Sequence, residues 1–266
     1  MIGTCRLCET PNSDLQDSHI IPKWAYRRLR GDGPQPDPVV MTDGVATQKS
    51  GQVSEYLLCA VCEDRFGKVE RRVSRIVYQV DGTAPFLTLL GAAHGAMDGG
   101  EVAHLPGSLP MADLTYFGAS VIWRASVSTV VPGCSLGAKY TEEFRQYLFG
   151  VADFPVRAAS IVWFYDVARS EKRDYGAVMT TPVSERFGAY HRHDVLICGT
   201  NFRLFVGGRI PESAELMCGH RGKRPLIALV PHEHLEDWPG RFVSNFRPVG
   251  RFAERLLKDK ASEIPT

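Results

Sequence analysis

The sequence predicts an α+β fold in which a cysteine-bearing N-terminal module precedes a helical stretch and then a mostly antiparallel sheet. Three observations lead there. Four of the seven cysteines sit in two Cys-x-x-Cys pairs within the first quarter of the 266-residue chain. Apolar residues then recur at helical spacing up to about residue 150. From about Val156 the texture changes to short runs rich in Val, Ile, Trp, Phe and Tyr, which are strand formers.

The two pairs are Cys5-Arg-Leu-Cys8 and Cys59-Ala-Val-Cys62. Cysteines spaced by two can point both sulfurs at one ion from a tight turn, and two such knuckles complete a tetrahedral four-thiolate shell of the kind zinc takes. Cys5, Cys8, Cys59 and Cys62 are therefore the expected ligands of a structural Zn²⁺. The spacing between the knuckles exceeds that of compact zinc fingers, so a segment is inserted between them, including a Pro/Gly-rich run from Gly31 to Pro38. A redox reading needs only one Cys-x-x-Cys beside a βαβ pattern, and no such pattern follows. The module is expected to span residues 1–80. Cys134, Cys198 and Cys218 stand alone and read as core residues.

Residues 81–266 form the second expected unit, helical to about 150 and mostly β after. Helices are predicted over Leu114–Val127 and Thr141–Phe149, with Thr141 as N-cap. The aromatic-rich part of the first, Tyr116–Trp123, reads as core. Strands are predicted at Ala158–Val167, Tyr175–Met179, Val195–Cys198, Phe202–Val206 and Leu226–Val230. Asn201 and Gly207–Gly208 read as turn residues. His191-Arg192-His193-Asp194 reads as a polar loop before a strand, with a metal or substrate role as the sharper alternative. A short helix is predicted around Phe252–Leu257.

Charge constrains function weakly. Lys and Arg number 31 against 30 Asp and Glu, a formal net of +1, so any basic footprint for nucleic acid must be local. The N-terminus lacks a secretory h-region, and no run of about eighteen apolar residues suggests a membrane span. An odd cysteine count without a leader argues against a disulfide framework and for a reducing, cytoplasmic setting, with no membrane partner.

Between the knuckles lies Asp17-Ser18-His19-Ile20-Ile21-Pro22, and the second knuckle is embedded in Tyr56-Leu57-Leu58-Cys59-Ala60-Val61-Cys62-Glu63. In this order the segments resemble the zinc-stabilised branch of the HNH (His-Me finger) endonucleases. The resemblance covers about the first seventy residues. It implies a ββα-metal, treble-clef-like zinc module and a metal-dependent nuclease hydrolysing phosphodiester bonds, with DNA as the expected partner. It gives His19 the role of general base and Glu63 that of ligand to Mg²⁺ or another divalent cation. Two positions depart from the family pattern: Ser18 stands where a ligating Asp or His is usual, and Ser54 where an Asn is usual. Asp17 or Glu70 could supplement Glu63, since Mg²⁺ needs only one or two carboxylates. The blander readings are a structural histidine for His19, a dipole-stabilising acid for Glu63 and a solvated helix residue for Glu70.

Lys23, Arg27 and Arg30 fall near one helical face, and Arg71 joins Arg65, Lys68, Arg72 and Arg75 in a second basic cluster. Lys23, Arg27, Arg30 and Arg71 are the expected phosphate contacts, against the alternative of an ordinary solvated surface. The competing functional expectation is a catalytically silent zinc module that binds nucleic acid or protein, with the C-terminal region as sensor or partner-binding domain.

Overall fold

The structure is a computed structural model that describes residues 1–30, 39–42, 45–48, 51–77, 96–97, 100–104, 111–166, 179–218, 226–231, 247–250 and 253–254. In chain order, the N-terminal part contains β1 (Ile2–Gly3), β2 (Ser13–His19), α1 (Lys23–Arg30), β3 (Val39–Thr42), β4 (Val45–Gln48), β5 (Ser54–Cys59) and α2 (Ala60–Val77). β2 lies antiparallel between β1 and β5, and a register shift between Gln16 and Asp17 kinks it. The kink re-aims the last residues of the strand, as bulges do. Ser18 is thereby turned fully inward, while His19 at the strand end is half-buried. The chain leaves β5 at Cys59 and enters α2 at once, so the second knuckle and the first helical turn are one continuous piece. α2 buries Cys62, Phe66, Val73 and Val77, a stripe at helical spacing, and exposes arginines opposite.

Two short strands then precede the helices, β6 (Ala96–Met97) and β7 (Gly100–His104). These strands were not anticipated from sequence. α3 (Met111–Val127) has buried residues on every side, Leu114, Phe117, Val121, Ile122 and Trp123 among them, and serves as the central post of the fold. α4 (Gly137–Phe149) starts four residues before Thr141, with Leu136 at the N-cap position and no side-chain cap. Thr141 is therefore not the N-cap. Its hydroxyl lies 3.3 Å from that of Ser126, and its carbonyl accepts the indole N–H of Trp123 at 3.0 Å, so tertiary partners occupy the groups a cap would use.

The β half comprises β8 (Ala158–Asp166), β9 (Val183–Phe187), β10 (Tyr190–Ile197), β11 (Thr200–Gly207), α5 (Glu212–Leu216), β12 (Leu226–Pro231) and β13 (Arg247–Pro248). The main sheet has seven strands in the order β6-β7-β12-β8-β11-β10-β9, antiparallel except for the β12–β8 pair. β13, β4 and β3 form a separate small sheet. The mostly antiparallel α+β architecture thus agrees with the sequence.

Details of the β half differ. His191–Asp194 is not a loop: it lies inside β10, with His193 and Asp194 almost completely buried. Asn201 is not a turn residue: it pairs within β11 and donates to Asp194 at 3.2 Å. The turn is Cys198–Gly199, with φ of 50° and 75°, joining the Ile197–Thr200 pair. Two successive positive φ values match the two-residue hairpin turn whose twist suits a strand pair. Gly207 closes β11 rather than lying in an open turn. Tyr175–Val178 and all of the proposed 252–257 helix except Ala253 and Glu254 lie outside the described residues, as does the boundary at 80/81.

One buried cluster runs from Cys5, Leu7 and Phe66 through α3 to Val195, Phe202 and Val206. The cysteine module and the sheet therefore share a core across α3. At Gly118 α3 approaches β11 tightly, and a Cβ there would meet Phe202 at 3.0 Å. Gly118→Val is expected to lower stability by about 1–3 kcal/mol through overpacking, more than the improved helix propensity returns. A denaturant midpoint unchanged from wild type would contradict this.

Candidate metal centre and the strand-end histidine

The first knuckle is shaped by backbone bonds: the Glu9 N–H donates to the Cys5 carbonyl at 2.9 Å and the Cys5 N–H to the Thr10 carbonyl at 3.1 Å. Glu9 takes a positive φ of 58° to close the turn. The Arg6 N–H reaches across to the Leu57 carbonyl at 2.9 Å, fixing this knuckle against β5. The second knuckle answers with the Cys59 N–H directed at Cys5 Sγ, 3.3 Å away. As a result the sulfurs of Cys5, Cys8, Cys59 and Cys62 all lie within 4.8 Å of one another.

A tetrahedron with metal–sulfur bonds of about 2.3 Å has edges of about 3.8 Å, and the Cys8–Cys59 sulfur separation is 3.9 Å. The four side chains could therefore hold one metal ion such as zinc. The hydrogen bond from the Cys62 thiol, aided by backbone N–H groups, pulls Cys5 well below the usual thiol range. Cys62 is pushed up by that same partner and by burial. Burial raises Cys59. A cation at the centre removes this competition by favouring all four as thiolates.

Polar tethers hold the module to α3 and α4. Arg145 donates to the Leu7 carbonyl at 2.9 Å and pairs with Glu142, whose carboxyl is held down to about 2. Glu55 accepts hydrogen bonds from the Ser128 hydroxyl, the Thr129 N–H and the Thr129 hydroxyl at 2.6–2.8 Å. Burial opposes its ionisation, but those bonds and the Arg6 charge win and lower its pKa. Arg72 makes a bidentate pair with Asp113 at 2.6 and 2.7 Å. Deepest is Arg124, 1% exposed, which reaches from α3 to the His19 carbonyl and to Glu70, each at 2.7 Å.

The expected site residues fare differently. The four cysteines converge. His19 is half-buried at the end of β2, opposite Ser54 in the ladder. Ser18 is fully buried: its hydroxyl accepts the Leu58 N–H at 3.2 Å and donates to the Gln16 carbonyl at 3.3 Å, so it stabilises the kink. Glu63 occupies the first turn of α2, and its Oε1 is buried without a hydrogen-bond partner. Glu70 is not a freely solvated helix residue: its side chain is mostly covered, and the buried Arg124 guanidinium engages its Oε1 at 2.7 Å. Among the described residues, the four cysteines are the one convergent group of three or more ligating side chains, so His19, Asp17 and Glu63 form no second one.

Lys23 and Arg27 are exposed on α1, and the Arg30 side chain lies outside the described residues. Arg71 is exposed on α2, with Asp64 3.8 Å away, and Lys68 takes the same carboxylate at 2.8 Å. Cys134, Cys198 and Cys218 are buried, as expected.

No protein-family model, no curated protein and no solved structure matches this chain. Among the described residues, no helix is long and apolar enough to cross a membrane. Reasoning from sequence missed Arg124, Glu55 and Arg145. For Arg124 a signal existed, since it is the one basic residue in a largely apolar helix, a position that demands a buried partner.

Proposed function

We propose that the N-terminal module is a zinc-stapled, treble-clef-like ββα unit with phosphodiester-hydrolysing activity of the HNH type, acting on DNA. The observation that supports it most directly is the buried, unpartnered Oε1 of Glu63, one residue past Cys62 at the start of a helix. An orphaned carboxylate oxygen is costly unless a cation or proton satisfies it. The HNH resemblance gives that position to a metal ligand and gives the strand-end histidine to water activation.

In this reading His19 takes a proton from the attacking water, its backbone held in the β2–β5 ladder. Glu63, whose Oε1 has no hydrogen-bond partner, would hold a divalent cation. Such an ion, when bound, neutralises the scissile phosphate and the leaving oxygen. Lys23, Arg27, Arg30 and Arg71 contribute phosphate contacts that set affinity without reading sequence. Zn²⁺ stays structural, because four cysteine sulfurs leave no open position for substrate.

The test is incubation of the purified chain with supercoiled plasmid and Mg²⁺ or Mn²⁺. Nicking is expected, and His19→Ala should reduce it by about 10²–10⁴-fold, the usual contribution of a positioned base. Lys139→Ala, on the exposed side of α4, should leave the rate unchanged. No cleavage with either ion overturns the reading.

A second reading has its own support. Ser18, at a usual ligand position, and Glu70, the candidate supplementary carboxylate, both make internal bonds. A silent module would bind nucleic acid with a steep salt dependence and no turnover, leaving sensing or partner binding to residues 81–266.

A further inference from the structure

The Arg124 guanidinium is fully buried, yet it does not belong to the ββα unit. It projects from α3 and makes contacts with three elements. Its Nε donates to the Ser120 carbonyl one turn back at 3.3 Å, which fixes the side chain along its own helix. One terminal nitrogen donates to the His19 carbonyl at 2.7 Å, and the other to Glu70 Oε1 on α2 at 2.7 Å. The guanidinium carbon also lies 5.3 Å from the centre of the Phe66 ring. A planar fork held at both ends and stacked on a ring has little freedom.

We infer that Arg124 is the positioning residue for His19: it clamps the strand-end carbonyl to α2 and so sets where the imidazole stands relative to the start of that helix. This deepens the function proposed above and rests on it for the kinetic arm alone. The argument is local. Beyond His19 the chain leaves β2 and turns into α1 within a few residues. The Asn that the HNH resemblance expects is replaced by Ser54. A backbone carbonyl gripped by a buried cation supplies rigidity at the same point from a different direction. Glu70 balances the charge, so the clamp does not leave an unpaired guanidinium in the core. The clamp also makes the N-terminal site dependent on α3, which packs on the sheet through Phe117 and Phe202, their ring centres 5.0 Å apart.

The test uses the full-length, zinc-loaded chain. Arg124→Met together with Glu70→Leu replaces the ion pair by apolar packing, an exchange that buried pairs often tolerate. Arg124→Lys keeps the buried charge but loses the planar fork, and it serves as the second arm if the double variant does not fold. Asp113→Asn is the control, because it breaks the other α2–α3 ion pair without touching His19. The His19 ring is followed by NMR through a pH titration, and plasmid nicking gives kcat and KM.

The expected result is a displaced or broadened His19 ring signal, with a shifted titration midpoint, in the folded Arg124 variants only. With it, kcat should fall about 10-fold or more while KM stays within about twofold, and Arg124→Lys should recover part of the loss. A folded Arg124 variant with the wild-type His19 titration overturns the inference, as does an equal change in Asp113→Asn. If the unaltered chain shows no cleavage, the nuclease reading falls, and the His19 spectrum alone decides the clamp.

Discussion

Cys62→Ser should cost the protein its N-terminal fold and not just its ion. Structural zinc contributes about 10–16 kcal/mol of apparent binding free energy in small zinc peptides, comparable with the entire stability of an ordinary domain. The bonds from Arg6 to Leu57 and from Arg145 to Leu7 that also brace the knuckles are worth about 1–3 kcal/mol each. β1 has two residues, and the β2–β5 ladder carries a register shift. Without a cation, the sulfurs that crowd within 4.8 Å compete for protons and repel as thiolates. Cys62 is 2% exposed and its neighbour in the helix stripe is Phe66, so a serine hydroxyl there would also enter apolar surroundings. The expected outcome is one zinc per chain in the unaltered protein by elemental analysis, none in Cys62→Ser, and a thermal midpoint lower by about 10 °C or more. Excess chelator should produce the same shift. A chain that purifies with no stoichiometric metal and melts identically with and without chelator would refute the zinc staple and, with it, the framework for His19.

The second large effect is acid sensitivity centred on His193. This residue is fully buried in β10. Burial, reinforced by the nearby His191, lowers its pKa from 6.5 to about 4. Its Nδ1 lies 2.7 Å from the Ser184 hydroxyl, which accepts the Ser135 N–H at 2.9 Å. The Nε2 atom is buried with no partner. The folded state therefore binds this proton less readily than the unfolded chain does. Stability is fully present above pH 6.5 and is lost as pH falls from 6.5 to about 4, because the unfolded state takes up the proton first. A gap of that size corresponds to about 3 kcal/mol. Urea midpoints measured from pH 7 to pH 4 should fall accordingly, and His193→Gln should flatten that slope. Equal slopes in the two proteins would show that other groups carry the acid response. The comparison also separates His193 from proton-driven loss of metal at the cysteines, which both proteins share.

The cysteine cluster was legible because spacing alone encodes it: a Cys-x-x-Cys pair has few structural uses, and two of them have fewer. The strand and helix identities of Leu114–Val127, Phe202–Val206 and Leu226–Val230 were legible from apolar periodicity. Several of the misreadings involve polar side chains whose partners lie on another element. Asp194 looks like a loop residue until Arg203 on the next strand neutralises it at 2.6 Å, with Asn201 adding a hydrogen bond. Thr141 looks like a cap until Ser126 and Trp123 claim it. Glu70 looks solvated until Arg124 arrives from a helix more than fifty residues away. Each pairing inverts the usual burial expectation, and no local pattern announces it. The candidate site was legible as residue types, and α3 as a helix, while the Arg124 contacts that brace the site from α3 were not.

Trp123 gives the molecule an internal optical gauge. Its indole is fully shielded and lies edge-on to Phe66, ring centres 6.3 Å apart, and Phe66 stands one helical turn beyond Cys62. Release of the ion should therefore register as a change in tryptophan emission, readable in a cuvette without labels.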